Sequence, residues 1–550
     1  MSRIRRTALT ALSLAATTAL LAGCAGAAPG GEAPAGEPVT GGTLSYLEPQ
    51  TWTTLYPPAG GFYPNGAIVN NITDRLLYQD PETLELEPWI ATGLPEVNAD
   101  ATEYTFTIRD DVTYSDGSKL TAENVVKNID LYGKGDAARA LTPSEAINNY
   151  DRGEVVDATT VKFFFTAPSP GFAQAVSTIN SGLVSDATLD LDSEGFGPGS
   201  ATQVIGSGPF VIEGEKLGTE TQLAVREDYD WAPEGAEHDG RAYLDGVTLT
   251  VASENSVRVG TVVAKQADIA RQIPAPDEPQ FAADGLGILA ASTNGVTNSL
   301  NFRFTNPLLS DIRVRQAIIA GIDREKIVET LFTDSYPLAT GALATTAAGY
   351  VDTSENYTYD PKQAAKLLAD AGWKAGSDGV LEQGGTKLSL TFNEAMPQPR
   401  SKEVVTLIQE QLGELGIEVN LFSGDYAAQT AASLDPDTIQ VYHSMVGRAD
   451  YDVLKSQFFS TNRNTLLNYD TETQQSADPK LEELLAQVAS APSPEERAAA
   501  SEAAQRHLAE QAYILPLFEE PQVYGLTTAV QGFATESVGR PNFYSTWVTR

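Results

Sequence analysis

The sequence is poor in the residues that most enzymes use for covalent chemistry or for metal binding. Its 550 residues contain one cysteine, Cys24, and three histidines, His238, His443 and His507. A lone cysteine forms no internal disulfide and no cysteine-based metal site. The sequence also lacks the G-x-S-x-G, H-E-x-x-H, P-loop and G-x-G-x-x-G motifs of common hydrolases and nucleotide-binding proteins. We therefore predict a binding protein, with no cofactor and no metal ion, rather than an enzyme.

One acidic stretch shows part of a calcium-loop pattern. Residues 190–195, DLDSEG, place acids at the first, third and fifth positions and glycine at the sixth. A calcium loop needs a bidentate glutamate at its twelfth position, which here is Ala201. We interpret the stretch as a solvated loop.

Positive charge is scarce. The chain has 73 Asp and Glu residues against 36 Lys and Arg residues, a formal net charge of −37. Such a surface repels nucleic acid phosphates and anionic lipid headgroups, so we expect no nucleic acid partner. The length exceeds the roughly 250–300 residues of a single hydrophobic core, so more than one lobe is expected.

The first residues have the features of an export signal. Three arginines within the first six residues precede an apolar run over 7–23, which ends in Leu21-Ala22-Gly23-Cys24. The run is short for a membrane-spanning helix, and its end closely matches the lipobox of bacterial lipoprotein signals. We predict a signal peptide over 1–23 and a lipidated Cys24 that anchors the protein at the extracytoplasmic face of the cell membrane. The alternative is an ordinary signal peptide with a cysteine nearby by chance.

Residues 24–40 consist mainly of alanine, glycine, proline and glutamate. They carry too little apolar surface to offset the entropy of ordering the chain, so we predict a flexible tether. No later segment has the pattern of a transmembrane helix.

The body has alternating strand and helix patterns. Tyr104, Phe106 and Ile108 alternate with polar residues as in a half-buried strand, and Thr121 is placed to cap a following helix. Further along, Ser310 and Asp323 have the character of N-caps.

The same alternation continues in the second half of the chain. Asp360 precedes Pro361 at a predicted helix start, and Gly372 lies just past the predicted end. Val404, Ile408, Leu412 and Leu415 form one face of a predicted helix that ends at Gly416 and leads directly into an alternating strand over 417–421. Helix-to-strand steps without hairpin turns imply crossover connections, so we predict an α/β fold with mixed sheets.

Five segments in this order resemble the family 5 extracellular solute-binding proteins, the oligopeptide-, dipeptide- and nickel-binding components of ABC importers. The resemblance covers about residues 43–530. The segments are YTFTIRDDVTYSDGSKLTAENVV (104–126), GSGPFVI (206–212), NPLLSDIRVRQAIIAGIDREKIV (306–328), YDPKQAAKLLADAGW (359–373) and AYILPLFEEPQVYGL (512–526).

The resemblance implies a two-lobed clamp of the type II periplasmic-binding-protein kind with an extra inserted subdomain. Lobe I would be built from 41–80, 200–296 and 522–550, the inserted subdomain from 81–199 and lobe II from 297–521. Two chain crossings near the lobe II boundaries would form the hinge. The clamp would close on a solute and present it, as a monomer, to ABC permease subunits in the membrane.

The resemblance also implies a ligand-binding aspartate in lobe II, which pairs with the α-ammonium group of a peptide. Asp450, followed by Tyr451, fits this position best within residues 447–460. No proline follows Asp450, and Asp452 and the acids of LDPDT (434–438) are rivals. The alternative for Asp450 is a solvated loop acid.

Two further groups of residues are candidates for the cleft. Phe62, Tyr63 and Asn65 lie in a Gly- and Pro-rich segment, residues 54–71, after the first strand, where this fold places a cleft loop. The alternative is that the two aromatic residues pack into the core. From lobe II, Tyr442 and His443 approach the same cleft. Arg448 also approaches it, and its guanidinium could pair with a ligand carboxylate. The alternative is that Arg448 is a surface residue.

The ligand is therefore predicted to be a peptide or peptide-like solute. The same fold also binds oligosaccharides, opines and metal chelates, which stay open as alternatives. A sensor that does not transport its ligand is a further alternative. The enzyme alternative is a secreted hydrolase with an unrecognised acid pair.

Overall fold

The computed structural model describes residues 36–283, 285–395, 398–461 and 465–550. The predicted signal peptide, Cys24 and most of the predicted tether lie outside these residues. Residues from Pro38 to Arg550 form one compact unit. Within the described part of the chain, no helix is both long enough and apolar enough to span a membrane.

The strands are numbered in chain order. They are β1 (Thr43–Glu48), β2 (Leu77–Gln79), β3 (Leu86–Pro88), β4 (Glu96–Val97), β5 (Glu103–Thr107), β6 (Tyr150–Val155), β7 (Thr160–Phe165), β8 (Phe210–Lys216), β9 (Glu220–Val225), β10 (Gly246–Val251), β11 (Ile269–Arg271), β12 (Gly287–Ala291), β13 (Gly295–Phe302), β14 (Lys374–Ala375), β15 (Leu381–Gln383), β16 (Thr386–Lys387), β17 (Ser389–Asn393), β18 (Glu418–Phe422), β19 (Val441–Gly447), β20 (Tyr469–Asp470), β21 (Gln475–Ser476), β22 (Ile514–Phe518), β23 (Gln522–Leu526), β24 (Val530–Gln531), β25 (Ala534–Thr535), β26 (Pro541–Asn542) and β27 (Trp547–Val548).

The α-helices are numbered in the same way. They are α1 (Tyr63–Ile72), α2 (Ala122–Lys134), α3 (Phe172–Ala175), α4 (Asp186–Leu189), α5 (Asn255–Val263), α6 (Glu278–Ala283), α7 (Ile312–Gly321), α8 (Arg324–Leu331), α9 (Pro361–Asp370), α10 (Ser401–Glu414), α11 (Tyr426–Ser433), α12 (Val453–Phe458), α13 (Pro479–Ser490) and α14 (Pro494–Glu510).

The largest sheet has seven strands in the order β12-β23-β11-β1-β10-β9-β8. Its central strand, β1, pairs in parallel with both β10 and β11, whereas the outer pairs are antiparallel. Strands from three distant parts of the chain therefore complete one sheet, which no local pattern in the sequence could specify.

A second sheet has five strands in the order β18-β17-β19-β13-β22. β17 runs parallel to β18 and β19, and β13 runs antiparallel to β19 and β22. The chain enters this sheet between Ala291 and Gly295 and leaves it between Phe518 and Gln522. These two crossings connect the seven-stranded and five-stranded sheets. The predicted α/β fold with mixed sheets is confirmed.

A third, antiparallel sheet has four strands in the order β4-β5-β7-β6. The strand predicted from Tyr104, Phe106 and Ile108 is β5, and the predicted N-cap Thr121 accepts a hydrogen bond from the backbone N–H of Asn124 at the start of α2. Phe163 of β7 and Phe172 pack edge-to-face against Phe106, and this aromatic cluster joins the sheet to the main core.

Most of the predicted helix ends are confirmed. Asp323 and Asp360 cap α8 and α9 through their side chains, and Gly372 adopts a φ of 95°, which favours glycine, just past the end of α9. The prediction of Ser310 as an N-cap is wrong. Asp311 accepts the backbone N–H of Arg313 instead, because α7 begins one residue later than expected.

The segment 54–71 differs from its prediction as a cleft loop. It forms a 3-10 turn over Pro57–Ala59 and then α1, whose first residue is Tyr63. Pro64 stands in the first turn of the helix, where its missing N–H is not needed. Phe62 and Tyr63 therefore lie at a helix start rather than on an irregular turn.

Candidate functional site

Two adjoining cavities form a cleft between the seven-stranded and five-stranded sheets. The first measures about 440 Å³ and the second about 320 Å³. Glu145, Gln398, Met445 and Val446 line both cavities, so the two are continuous. Strand β19 of the five-stranded sheet contributes residues to both cavities. A cleft of this size is typical of sites for small ligands.

The first cavity contains a buried ion pair on the side of the seven-stranded sheet. Arg271, at the end of β11, donates from Nε to Glu48 Oε1 over 2.9 Å and from Nη1 to Gln522 Oε1 over 2.7 Å. Glu48 ends the central strand β1, and Gln522 begins β23, so three neighbouring strands fix this guanidinium. Buried charges need such pairing, because desolvation of either group alone is costly.

Tyr63 lies between two guanidinium groups in the same cavity. The carbon centre of Arg271 lies 5.1 Å from the centre of its ring, and that of Arg540 lies 4.8 Å from it. The Tyr63 hydroxyl donates to the backbone oxygen of Val538 over 3.0 Å, and Arg540 pairs with Glu536 over 3.2 Å. Two cations therefore fix the aromatic ring.

Arg448 and Asp450 form the charged pair on the opposite wall. Arg448 Nε lies 2.5 Å from Asp450 Oδ2, and both side chains are largely buried. Among the described residues, the other carboxylate oxygen of Asp450 has no hydrogen-bond partner. Asp452, the rival acid, pairs with Arg497 over 2.5 Å. Neither Asp450 nor Asp452 lines either cavity.

The second cavity is lined mainly by neutral polar side chains. Tyr442 and His443 of β19 lie in its wall, and the guanidinium of Arg303 lies 5.2 Å from the ring centre of Tyr442. The amide and hydroxyl side chains in the same wall are Asn393, Gln398, Gln429, Thr430, Ser433, Ser444, Gln457 and Thr465.

His443 is buried and neutral. Its Nδ1 lies 2.9 Å from Ser401 Oγ and its Nε2 lies 2.5 Å from Asn298 Oδ1. Burial lowers the pKa of His443 to about 4, so the ring carries no charge near neutral pH. Its Nε2 therefore donates a hydrogen bond to Asn298 Oδ1, which can only accept, and its Nδ1 accepts from Ser401.

The structure separates the candidate ligand residues into two groups. Phe62, Tyr63 and Arg448 line the first cavity and Tyr442 and His443 line the second, whereas Asn65, Asp450 and Tyr451 line neither. The five residues that line a cavity come from the start of α1 and from β19 with the residue that follows it.

The residues outside the cleft have local partners. Asn65 is buried and bonds the loop before it, accepting from the backbone N–H of Thr53 and donating to the oxygen of Ala59. The ring of Tyr451 packs under the Arg497 guanidinium at 5.1 Å. These residues therefore stabilise the segments behind the cleft and do not line it.

Sequence reasoning missed several cleft residues, chiefly Arg271, Glu520, Gln522 and Arg540. Each is a single polar residue at the end of an apolar strand or in a loop, a pattern too common to indicate a ligand site by itself. One sequence feature could have indicated these residues, namely a charged residue at the end of an apolar strand. Arg271 after Ile269 and Ala270 is the example.

Comparison with known proteins identifies the class of the chain. The profile of the Bacterial extracellular solute-binding proteins, family 5 Middle, matches residues 85–465. The oligopeptide-binding protein AppA of Bacillus subtilis is 26% identical over 436 residues, which cover 76% of each chain. The glutathione-binding protein GsiB of Escherichia coli K12 is 24% identical over 543 residues, which cover 96% of each chain.

A solved structure shares the fold. NikA from Brucella suis, in complex with Fe(III)-EDTA, superimposes with a TM-score of 0.77 at 20% sequence identity, covering 92% of this chain and 100% of that one. The predicted two-lobed binding-protein architecture is therefore confirmed. The chain belongs to the family 5 bacterial extracellular solute-binding proteins, the solute-capturing components of ABC importers.

Proposed function

We propose that the protein captures a peptide or peptide-like solute in the cleft and delivers it to an ABC permease. The observation that carries this proposal is the lining of the first cavity, where charged side chains of both signs meet with an aromatic ring. Arg448, Arg271 and Glu536 contribute to this lining, and the adjoining cavity offers neutral amides. Peptides carry charges of both signs separated by amide groups, which fits these two cavities. An oligopeptide-binding and a glutathione-binding relative support the same class.

Arg448 is the proposed receptor of a ligand carboxylate. Its ion pair with Asp450 uses Nε, and among the described residues neither of its Nη groups donates a hydrogen bond. A guanidinium held at one nitrogen presents the remaining donors in a fixed direction, which suits a carboxylate. On this proposal Asp450 orients Arg448 and does not bind the ligand ammonium group itself.

The second cavity, lined mainly by neutral polar side chains, is proposed to receive amide groups of the solute. Side-chain amides both donate and accept, so Asn393, Gln398 and Gln457 can match peptide N–H and C=O groups. Asn393 is held by its bonds with the backbone of His443 in both directions, which fixes this wall before ligand binding. Fixed polar groups lose little entropy when a ligand arrives.

Closure of the cleft is proposed to occur at the two crossings between the sheets. The crossings are short, since only residues 292–294 and 519–521 separate the flanking strands. We place lobe II at 297–521, lobe I at 41–80 with 200–296 and 522–550, and the inserted subdomain at 81–199. Ligand contacts with both walls would favour the closed arrangement.

We further propose that the protein lies outside the cytoplasm on a lipid anchor at Cys24, as a monomer. The lipobox-like end of the apolar run supports the anchor, and residues 24–40 would serve as its tether. Globomycin-sensitive processing of the full-length chain, together with a mass increase at the N-terminal cysteine, would test this part separately.

The experiment for the ligand is native mass spectrometry of residues 38–550 purified from the natural host, followed by identification of the compound released on denaturation. We expect a peptide-sized adduct that the substitution Arg448→Met removes. The control is Arg109→Met, because Arg109 pairs with Asp111 at the exposed surface away from both cavities.

The result decides between ligand classes. A sugar, an opine or a metal chelate in place of a peptide would overturn the peptide assignment. A peptide adduct that survives Arg448→Met would overturn the role of Arg448 while leaving the ligand class standing.

A further inference from the structure

Glu520 is a buried acidic residue that lines the cleft. It lies in the crossing 519–521 between β22 and β23, and its side chain lines the first cavity. It is also only 6% exposed. A carboxyl group that is buried and yet faces a ligand cleft needs a partner that offsets its desolvation.

Three other acids near this cavity have cationic partners. Glu48 pairs with Arg271, Glu536 with Arg540 and Asp450 with Arg448. Among the described residues, Glu520 forms no ion pair. Its Oε2 accepts one hydrogen bond, from Asn298 Nδ2 over 2.8 Å, which is a neutral donor.

A chain of neutral hydrogen bonds leads to that oxygen. Ser401 donates to His443, His443 donates to Asn298 Oδ1, and Asn298 donates to Glu520. Because His443 is neutral, the chain orients the carboxyl group but brings it no positive charge. Burial raises the pKa of Glu520 to about 8, so the carboxyl group holds a proton at pH 7.

We propose that Glu520 is the carboxylate that receives a cationic group of the ligand, such as an ammonium or guanidinium group. This assignment rests on the proposed function, and it adds the cationic end to the carboxylate end at Arg448. The ligand cation supplies the positively charged partner that Glu520 does not find among the described residues of the protein. A neutral ligand group offers no such partner and leaves Glu520 protonated, whereas a cation gains a full charge pair, so Glu520 favours ligands that carry a positive charge.

The proton of Glu520 leaves when the cation binds. The ligand cation favours the charged carboxylate, so the O–H bond breaks and the proton passes to the buffer. The titratable or charged groups that face Glu520 or share its cavity are Tyr63, Tyr336, Glu145, Arg271, Arg448, Glu536 and Arg540. Burial raises the pKa of both tyrosines, so neither changes charge between pH 6 and 8.

The test uses two pools of random tripeptides that contain no Lys, Arg or His. One pool has free amino termini, which are then its only cations, and the other is N-acetylated. Binding is measured by affinity selection and mass spectrometry with residues 38–550 as wild type, E520Q and E519Q. E519Q is the matched control, because Glu519 is the adjacent acid but bonds to Thr345 and does not line the cavity.

We expect wild type and E519Q to retain the free-amine pool and not the acetylated pool. E520Q should lose about 30-fold or more in affinity, the effect of removing one partner of a buried charge pair. The new amide of E520Q can still accept from Asn298, so the melting temperature of this variant at pH 6 should match wild type. Retention of the acetylated pool, or undiminished binding by E520Q, would overturn the proposal while leaving peptide binding intact.

Calorimetry with one retained tripeptide in phosphate and in Tris at pH 7 provides the second readout. Close to one proton should be released per bound peptide, and affinity should rise about tenfold between pH 6 and 7. Binding without proton release would overturn the proposal.

If neither pool binds, the proposed peptide binding is overturned. The role of Glu520 is then tested with the compound that copurifies from the host. A copurified compound without a cationic group overturns the role of Glu520, and one with a cationic group that E520Q fails to retain supports it.

Discussion

At the scale of single residues, the cleft is held by charged side chains that are buried in pairs. Glu48 and Arg271 are each at most 5% exposed as side chains, and the hydroxyl of Tyr46 adds a hydrogen bond to Glu48. A buried pair contributes little to stability compared with an apolar pair of the same size, but breaking it leaves an uncompensated charge. Such a pair therefore fixes geometry rather than adding stability.

The first prediction concerns this pair. Glu48→Gln removes the counter-charge of Arg271 and should lower the free energy of unfolding by about 3–5 kcal/mol. The control is Asp111→Asn, whose partner Arg109 is partly exposed, and it should cost about 0–1 kcal/mol. Both are measured by urea unfolding. Equal and small losses would show that Arg271 does not depend on Glu48.

The second prediction concerns His443. Its pKa is about 4 in the folded protein against a usual value of 6.5, because burial disfavours the charged ring. Between these values the unfolded chain binds a proton that the folded chain does not. The stabilising contribution of neutral His443 is therefore present above pH 6.5 and is lost as the pH falls toward 4, by about 3 kcal/mol in total.

The measurement is urea unfolding of wild type and His443→Asn at steps from pH 7 to pH 4.5. The difference between the two proteins isolates His443 from the other titrating groups. We expect this difference to shrink as the pH falls, and a constant difference would contradict the assignment of a neutral, buried ring.

At the scale of elements, the local sequence predicted many of the helices and strands but not their positions in the fold. α10 was expected from Val404, Ile408 and Leu412, and all three are fully buried on one face of the helix. Burial of such side chains stabilises by about 1.5–3 kcal/mol each. The segment 54–71 was misjudged because glycine and proline indicate loops, whereas the start of α1 tolerates Pro64 and buries Asn65.

The third prediction concerns Gly206, the first residue of the segment GSGPFVI. Its need for glycine follows from its close contact with α1. A Cβ on Gly206 would lie 1.8 Å from the backbone oxygen of Ile72, at the end of α1. Gly206→Ala should therefore cost about 3 kcal/mol or more, since backbone must shift to relieve the overlap.

The control for this change is Gly93→Ala, where the added carbon meets nothing within 4 Å. Its effect should stay within about 0.5 kcal/mol. Thermal unfolding of both variants checks the contrast, and a near-neutral Gly206→Ala would show that the end of α1 can move freely.

At the scale of the whole molecule, hydrogen bonds from the first half of the chain reach the segment that follows β19. Gln79 of β2 donates to the backbone oxygen of Ala449 over 3.2 Å, and Gln174 of α3 donates to the same oxygen. Ala449 follows closely after β19, the strand that lines both cavities. These bonds hold the walls together and are expected to break when the clamp opens.

The fourth prediction tests this closure. Gln174→Ala should shift the molecule toward an open arrangement by about 1 kcal/mol, the net value of one hydrogen bond. Small-angle scattering should then show a larger radius of gyration, and ligand affinity should fall several-fold. Gln222→Ala on β9, whose side-chain amide bonds to Glu220 on the same strand, is the control. An unchanged radius and affinity would mean that this contact does not restrain the clamp.

The sequence by itself determined the α/β class, most helix caps and the family resemblance, because these depend on residues close together in the chain. It also indicated five residues that line the cleft, namely Phe62, Tyr63, Tyr442, His443 and Arg448. Only the tertiary structure showed that Asp450 pairs with Arg448 and lines neither cavity. It also showed that, within the described part of the chain, Glu520 lines the cleft without an ion-pair partner. Burial and pairing depend on strands such as β1, β11 and β23, which are hundreds of residues apart and become neighbours only in the folded sheet.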